Sequence, residues 1–166
     1  MAEFKPIEII DNFLESSTFS ELQNVFLGSH FPWYFNNGIN QPSNENNLDD
    51  YQFTHKIFED STVHSDVFDL VRPILSKLSI KSLVRVKANL SVKTKDLSFH
   101  GMHTDTTFDC TTAIFYLNTN NGQTLVEDSK VDSIENRLVT FNSQMMHAGS
   151  TTTDTQTRVV LNLNYF

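Results

Sequence analysis

Cysteine occurs once in this 166-residue chain, at Cys110. A single thiol closes no disulfide within the chain and builds no thiolate cage for zinc or an iron–sulfur cluster. Any metal site must therefore draw on histidine and carboxylate. Basic residues are scarce too, 12 against 20 acidic ones, for a formal net charge of −8. That balance disfavours nucleic acid as a partner, since such binding relies on cations neutralising phosphates. It still allows a small anion, for which one buried arginine suffices. No apolar run reaches the ~20 residues needed to span a bilayer, so no membrane association is expected. The opening MAEFKPIEII is too short and too charged to read as a signal peptide, and a cytoplasmic location is the expectation. What the chain does have is phenylalanine, 14 residues of it, which points to an aromatic-rich core in one domain.

The first half reads as mixed α and β. A short apolar run over 7–10 ends at Asp11 and Asn12. Ser16 and Ser17 offer an N-cap for a helix carrying Phe19, Leu22, Val25 and Phe26 on one side, with Gly28 ending it. Residues 31–35 have extended character and 51–58 read as a strand. Between them, NNGINQPSNENNLDD (36–50) is almost devoid of apolar residues and reads as a loop, either a plain connection or a lid over a site. Residues 62–78 carry Val63, Val67, Leu70, Ile74, Leu75 and Leu78 at helical spacing, interrupted by Pro73. Beyond residue 80 the helical period vanishes. Strands are predicted over 83–92, 113–117, 124–127, 137–141 and 157–165, separated by turns such as NTNNGQ. The overall expectation is α+β but mainly β. It is a jelly roll or barrel over 83–166, supported by two helices within 1–80 and forming a single domain.

The chemistry concentrates in HGMHTDTT. On an extended backbone His103 and Asp105 point to the same side and can share a metal. By itself such a triplet carries little. Downstream, however, SQMMHAGS supplies His147, and Arg158 follows eleven residues later at the start of TRVVLNLNYF. Two histidines and a carboxylate make a facial ligand set that leaves half of an octahedral Fe(II) open. On the last strand Arg158, Asn162 and Asn164 share one parity, and Val159, Leu161, Leu163 and Tyr165 the other. Alternation alone is compatible with the polar face in water or in a cavity.

HTD, then FYLN, then a histidine with an arginine eleven residues on, resembles the Fe(II)- and 2-oxoglutarate-dependent oxygenase superfamily. The likeness is greatest to its prolyl-4-hydroxylase-like group, including small phage and bacterial versions, and it covers residues 83–166. The resemblance implies a double-stranded β-helix of the jelly-roll, cupin-like kind. It implies iron on His103, Asp105 and His147, and Arg158 pairing with the distal carboxylate of 2-oxoglutarate. Tyr116 stands where prolyl hydroxylases place a tyrosine on that carboxylate. Some relatives have Ser or Thr two residues after the arginine, but this chain has Val160, so Tyr116 and Asn162 are the candidate second anchors. The implied reaction hydroxylates an unactivated C–H bond with O2, with ascorbate as a possible reductant. The substrate could be a prolyl residue of a peptide or protein, or a small molecule. The competing readings are a cupin-like metalloenzyme of another class and a non-catalytic binding protein on the same scaffold. A buried Arg158 argues against the first and an intact triad against the second.

Several other residues carry weaker expectations. His100 falls on the opposite parity from His103 and reads as a surface or supporting residue. His30, His55 and His64 read as structural or exposed, and Cys110 as a small buried residue. Glu127 and Asp128 are expected at a strand end in water. Arg85, Lys87 and Asn89 share a parity on the strand before the metal motif and are candidates to face the mouth of the site.

Overall fold

The computed structural model describes residues 6–38 and 51–166. Most of the segment read as a loop, 39–50, lies outside the described residues. The described residues form eleven strands and two helices: β1 (Glu8–Ile10), α1 (Ser16–Phe26), β2 (Tyr34–Asn37), β3 (Tyr51–Glu59), β4 (Thr62–Val63), α2 (Phe68–Lys77), β5 (Leu83–Val92), β6 (Thr111–Tyr116), β7 (Gln123–Val126), β8 (Ser129–Asp132), β9 (Leu138–Asn142), β10 (His147–Gly149) and β11 (Thr157–Tyr165). An eight-stranded antiparallel sheet runs β1-β9-β6-β11-β5-β3-β2, with β4 on β3. A smaller antiparallel sheet runs β10-β7-β8. Among the described residues no helix is long and apolar enough to cross a membrane.

The layering follows from side-chain alternation. Val159, Leu161, Leu163 and Tyr165 of β11 join Ala113 and Phe115 of β6, and Val86 and Ala88 of β5, under the two helices. There they meet Phe19, Leu22 and Phe26 of α1 and Val71 and Ile74 of α2, and Phe115 takes the edges of Phe13 and Phe19. The opposite face of the same strands offers Ile114, Tyr116 and Val160, which pack with Val126 and Val131 of the small sheet and with Val139 and Phe141. Strands β6 and β11 are thus buried on both sides. In β6 this goes with the apolar run over 113–116, while β11 turns Arg158, Asn162 and Asn164 to the side away from the helices.

Three expectations need correction. The helix read over 62–78 begins only at Phe68. Thr62 and Val63 form a hairpin strand, turned by Asp60 and Ser61 at φ 51° and 59°. Val63 continues the helical spacing by coincidence and is half exposed. Helix α1 begins at Ser16 itself, with Glu15 at its N-cap and no side-chain cap. Residues 36 and 37 continue β2 and do not open a loop. Strand β8, SKVD, was not anticipated because Val131 is its only buried residue, and β10 because it has only three residues.

Candidate metal centre

His103 lies in the long connection from β5 to β6, and His147 opens β10. Each donates its backbone N–H to the other's carbonyl, at 3.0 and 2.9 Å. Asp105 N–H reaches the Ser143 carbonyl at 3.3 Å. These bonds clasp HTD against the entry to the small sheet and bring the three side chains together, with one ligand atom from each lying within 4.8 Å of the others. His103 Nδ1 faces the Gly101 carbonyl at 3.1 Å and His147 Nδ1 the Met145 carbonyl at 3.0 Å. A carbonyl only accepts, so Nδ1 carries the proton on both rings and Nε2 presents its lone pair. The two Nε2 atoms lie 3.9 and 3.7 Å from Asp105 Oδ1.

Asp105 is held on every side. Oδ1 accepts from Arg85 at 2.9 Å, and Oδ2 accepts from Thr112, Asn164 and Asn162 at 3.0, 3.1 and 3.3 Å. Burial pushes its carboxyl up, but the His147 ring, the Arg85 guanidinium and the Asn164 amide outweigh it and hold it well below the usual carboxylate range. Burial, helped by the neighbouring His147, lowers His103 and favours its neutral form. Two imidazoles with Nε2 turned inward and one fixed carboxylate suit a divalent first-row metal. The buried His147 Nε2 has no hydrogen-bond partner, and a metal bond would satisfy it.

The triad opens into a cleft of about 580 Å³, its mouth included, between the large and small sheets. Arg158 lines its far end. The side chain is buried and hydrogen-bonds to hydroxyls: Nε donates to Ser133 at 2.8 Å and Nη2 to Thr124 at 2.9 Å. Among the described residues no carboxylate lies within ion-pairing distance of it. Desolvation lowers its pKa, yet guanidinium remains charged. An uncompensated buried cation facing a cleft calls for an anionic occupant.

Tyr116 reaches this end, under the Arg158 guanidinium at 5.6 Å, but its hydroxyl donates to Thr124 at 2.7 Å. Thr124 accepts from both Tyr116 and Arg158, which leaves its own proton for an occupant of the cleft. Asn162 also lines the cleft, at the Asp105 end. Thr124, Ser133, Thr112 and Asn164 were not read as site residues from the sequence, and Arg85, a candidate for the mouth of the site, instead pairs with Asp105. For Thr124 and Ser133 no local signal exists, because the small sheet brings them in. Asn164 shares the parity of Arg158, so for it the signal was present. His100, read as a surface or supporting residue, lines the cleft with His103. Lys87, Asn89, Ser91 and Gln52 form the remaining polar wall. Burial, with the Arg85 charge nearby, pulls Lys87 down to about 8. His55 is buried, bonded to the Pro32 carbonyl and the Ser65 hydroxyl, and His30 is exposed. Cys110 is buried. Glu127 and Asp128 are exposed, with Glu127 also capping Met146 N–H.

Gly122 makes room for the arginine. A Cβ there would stand 2.5 Å from Arg158 Cδ and 2.7 Å from the Thr151 carbonyl oxygen. Gly122→Ala should cost about 1–3 kcal/mol through overpacking. Denaturant melts would show that loss.

No family model and no curated protein matches the sequence. Solved structures do match. A prolyl hydroxylase from Trichoplax adhaerens, solved with a peptide of the hypoxia inducible factor oxygen degradation domain, is 19% identical, with 96% of this chain and 83% of that chain covered at a TM-score of 0.64. An oxidoreductase of the 2OG-Fe(II) oxygenase family from Burkholderia pseudomallei is 12% identical, with 96% and 84% covered at 0.65. A non-heme alpha ketoglutarate dependent carbocyclase from nogalamycin biosynthesis is 11% identical, with 96% and 78% covered at 0.69. The chain therefore has the fold shared by the 2-oxoglutarate–Fe(II) oxygenases, prolyl hydroxylases among them.

Proposed function

We propose that the protein is an Fe(II)- and 2-oxoglutarate-dependent dioxygenase that hydroxylates an unactivated C–H bond, with residues 1–166 forming one oxygenase domain. Its two facing sheets are read as the sides of a double-stranded β-helix, braced by α1 and α2. One observation carries the reading: a His/Asp/His triad and a buried, uncompensated arginine open into the same cleft.

In this reading His103, Asp105 and His147 hold Fe(II) and Arg158 holds the distal carboxylate of 2-oxoglutarate. Once bound, the iron and the oxoacid supply the oxidising power, with O2 converting the oxoacid to succinate and carbon dioxide as the substrate gains a hydroxyl group. The protein's part is geometric. The carbonyls of Gly101 and Met145 keep both Nε2 atoms turned inward. Arg85, Thr112, Asn162 and Asn164 keep Asp105 from rotating or taking a proton. Arg158 supplies charge, and Thr124, fixed by Tyr116, supplies a hydrogen bond to the same carboxylate. Of the two candidate anchors, Tyr116 thus acts through Thr124, and Asn162 serves the metal end. A prolyl residue of a peptide is a finer substrate reading, supported by the likeness of fold.

Anaerobic protein mixed with Fe(II) and 2-oxoglutarate should develop the weak visible charge-transfer band of an iron-chelated 2-oxo acid, and His103→Ala should abolish it. A folded, metal-loaded protein without the band would sink the oxygenase reading.

A further inference from the structure

Resting on the oxygenase reading, we infer that Lys87 is a specificity residue that receives a carboxylate of the primary substrate, so that this substrate is a carboxylic acid and not a neutral polypeptide segment. The cations beside Lys87 are already committed. Arg85 is bonded to Asp105, and Lys56, directly across from Lys87 in the β3–β5 pairing, is paired with Glu59. Arg158, at the far end, faces the space assigned to the oxoacid. Apart from Arg158, Lys87 is the one lysine or arginine lining the cleft, and it has no ion pair to any described residue.

Its surroundings make that position costly. Across the strands Lys87 faces Lys56 on one side and Asn162 on the other, and Arg85 lies two residues along the same face. Of the nearby carboxylates, Asp105 is surrounded by donors and is assigned to the metal, and Glu59 is paired with Lys56. A bound divalent metal adds two positive charges, and the two carboxylates of 2-oxoglutarate offset only those. The wall of Lys87, Asn89, Ser91 and Gln52 therefore keeps excess positive charge with donors beside it. This is unexpected in a chain of net charge −8. A neutral peptide backbone would leave the cation uncompensated, whereas a carboxylate compensates it with a charge-assisted hydrogen bond. A terminal carboxylate and an acidic side chain share this chemistry.

The test uses protein loaded with Zn(II) in place of iron and saturated with 2-oxoglutarate, with binding read by saturation-transfer NMR. The probes are the L-amino acids, each as free acid and as carboxamide, with N-acetyl-glutamyl amide carrying only a side-chain carboxylate. At least one acid should bind, and its amide should not. Lys87→Met and Lys87→Gln should each weaken that acid about tenfold or more, the worth of a charged hydrogen bond. The 2-oxoglutarate midpoint of the iron charge-transfer band should not move in either variant. Binding of N-acetyl-glutamyl amide alone would assign the carboxylate to a side chain. The inference is overturned if no acid binds, if acid and amide bind alike, or if the variants bind the acid as well as the native chain. It is also overturned if the variants lose 2-oxoglutarate, which would place Lys87 on the co-substrate. An absent band in native protein would instead overturn the oxygenase reading, and this inference with it.

Discussion

Asp105→Ala should abolish metal binding and destabilise the metal-free protein at once. The substitution removes a ligand and also strands the Arg85 charge and the donors of Thr112, Asn162 and Asn164 that now converge on one carboxylate. Leaving a partly buried cation and several donors unpaired should cost about 2–3 kcal/mol, since Arg85 keeps some contact with water. Asp105→Asn, which keeps the shape, separates the two effects. Metal affinity should still fall by about 100-fold or more, because losing a ligand exceeds losing an outer partner. Calorimetric titration with Zn(II) and denaturant melts without metal give the two readings. The sign of the pH dependence is fixed as well. The folded carboxyl sits below its unfolded value of about 3.9, so its contribution is complete above that pH and drains away as acid approaches the lower folded value. The stability gap between native and Asp105→Asn protein should shrink below about pH 4.

Arg158→Met should weaken 2-oxoglutarate about 100-fold or more while leaving metal binding intact, because a buried, bidentate-capable cation is removed. The same change should raise the melting temperature of ligand-free protein. Arg158 is desolvated, with hydroxyl partners and no described counter-ion, and an apolar side chain of similar reach avoids that burial cost. Thermal melts of the Zn(II) form with and without 2-oxoglutarate show both effects together, as a higher baseline with no ligand-induced rise. A lower baseline with the rise preserved would remove Arg158 from the anion site. Arg158→Lys, which keeps the charge without the planar fork, should fall between the two.

Much of this site was legible because its residues lie on extended backbone. The i, i+2 geometry of His103 and Asp105 and the parity of Arg158, Asn162 and Asn164 follow from strand alternation alone. What alternation left open was which side the polar parity faced. The structure places it in the cleft, because the helices claim Val159, Leu161 and Leu163. The fold's mainly-β character was equally readable from the strand periodicity beyond residue 80. Thr124 and Ser133 were not legible. They reach Arg158 only because β7 and the segment after β8 fold over it, a long-range arrangement with no local period. The hairpin at Asp60 and Ser61 was missed for a different reason. Its turn lacks glycine, and Val63 happens to fall on the helical spacing of the residues after it.

Strand β11 carries two inventories on one backbone. Odd positions are sealed under the helices, and even positions face the cleft. An insertion or deletion of one residue within it would exchange the two sets, driving Arg158 among the phenylalanines of the core and the strand's leucines into the hydroxyl-lined cavity. The strand's length is thereby frozen, while single replacements at even positions can alter what the pocket accepts without disturbing the packing beneath. A lineage carrying this chain could change its chemistry in small steps on a scaffold whose register could not change.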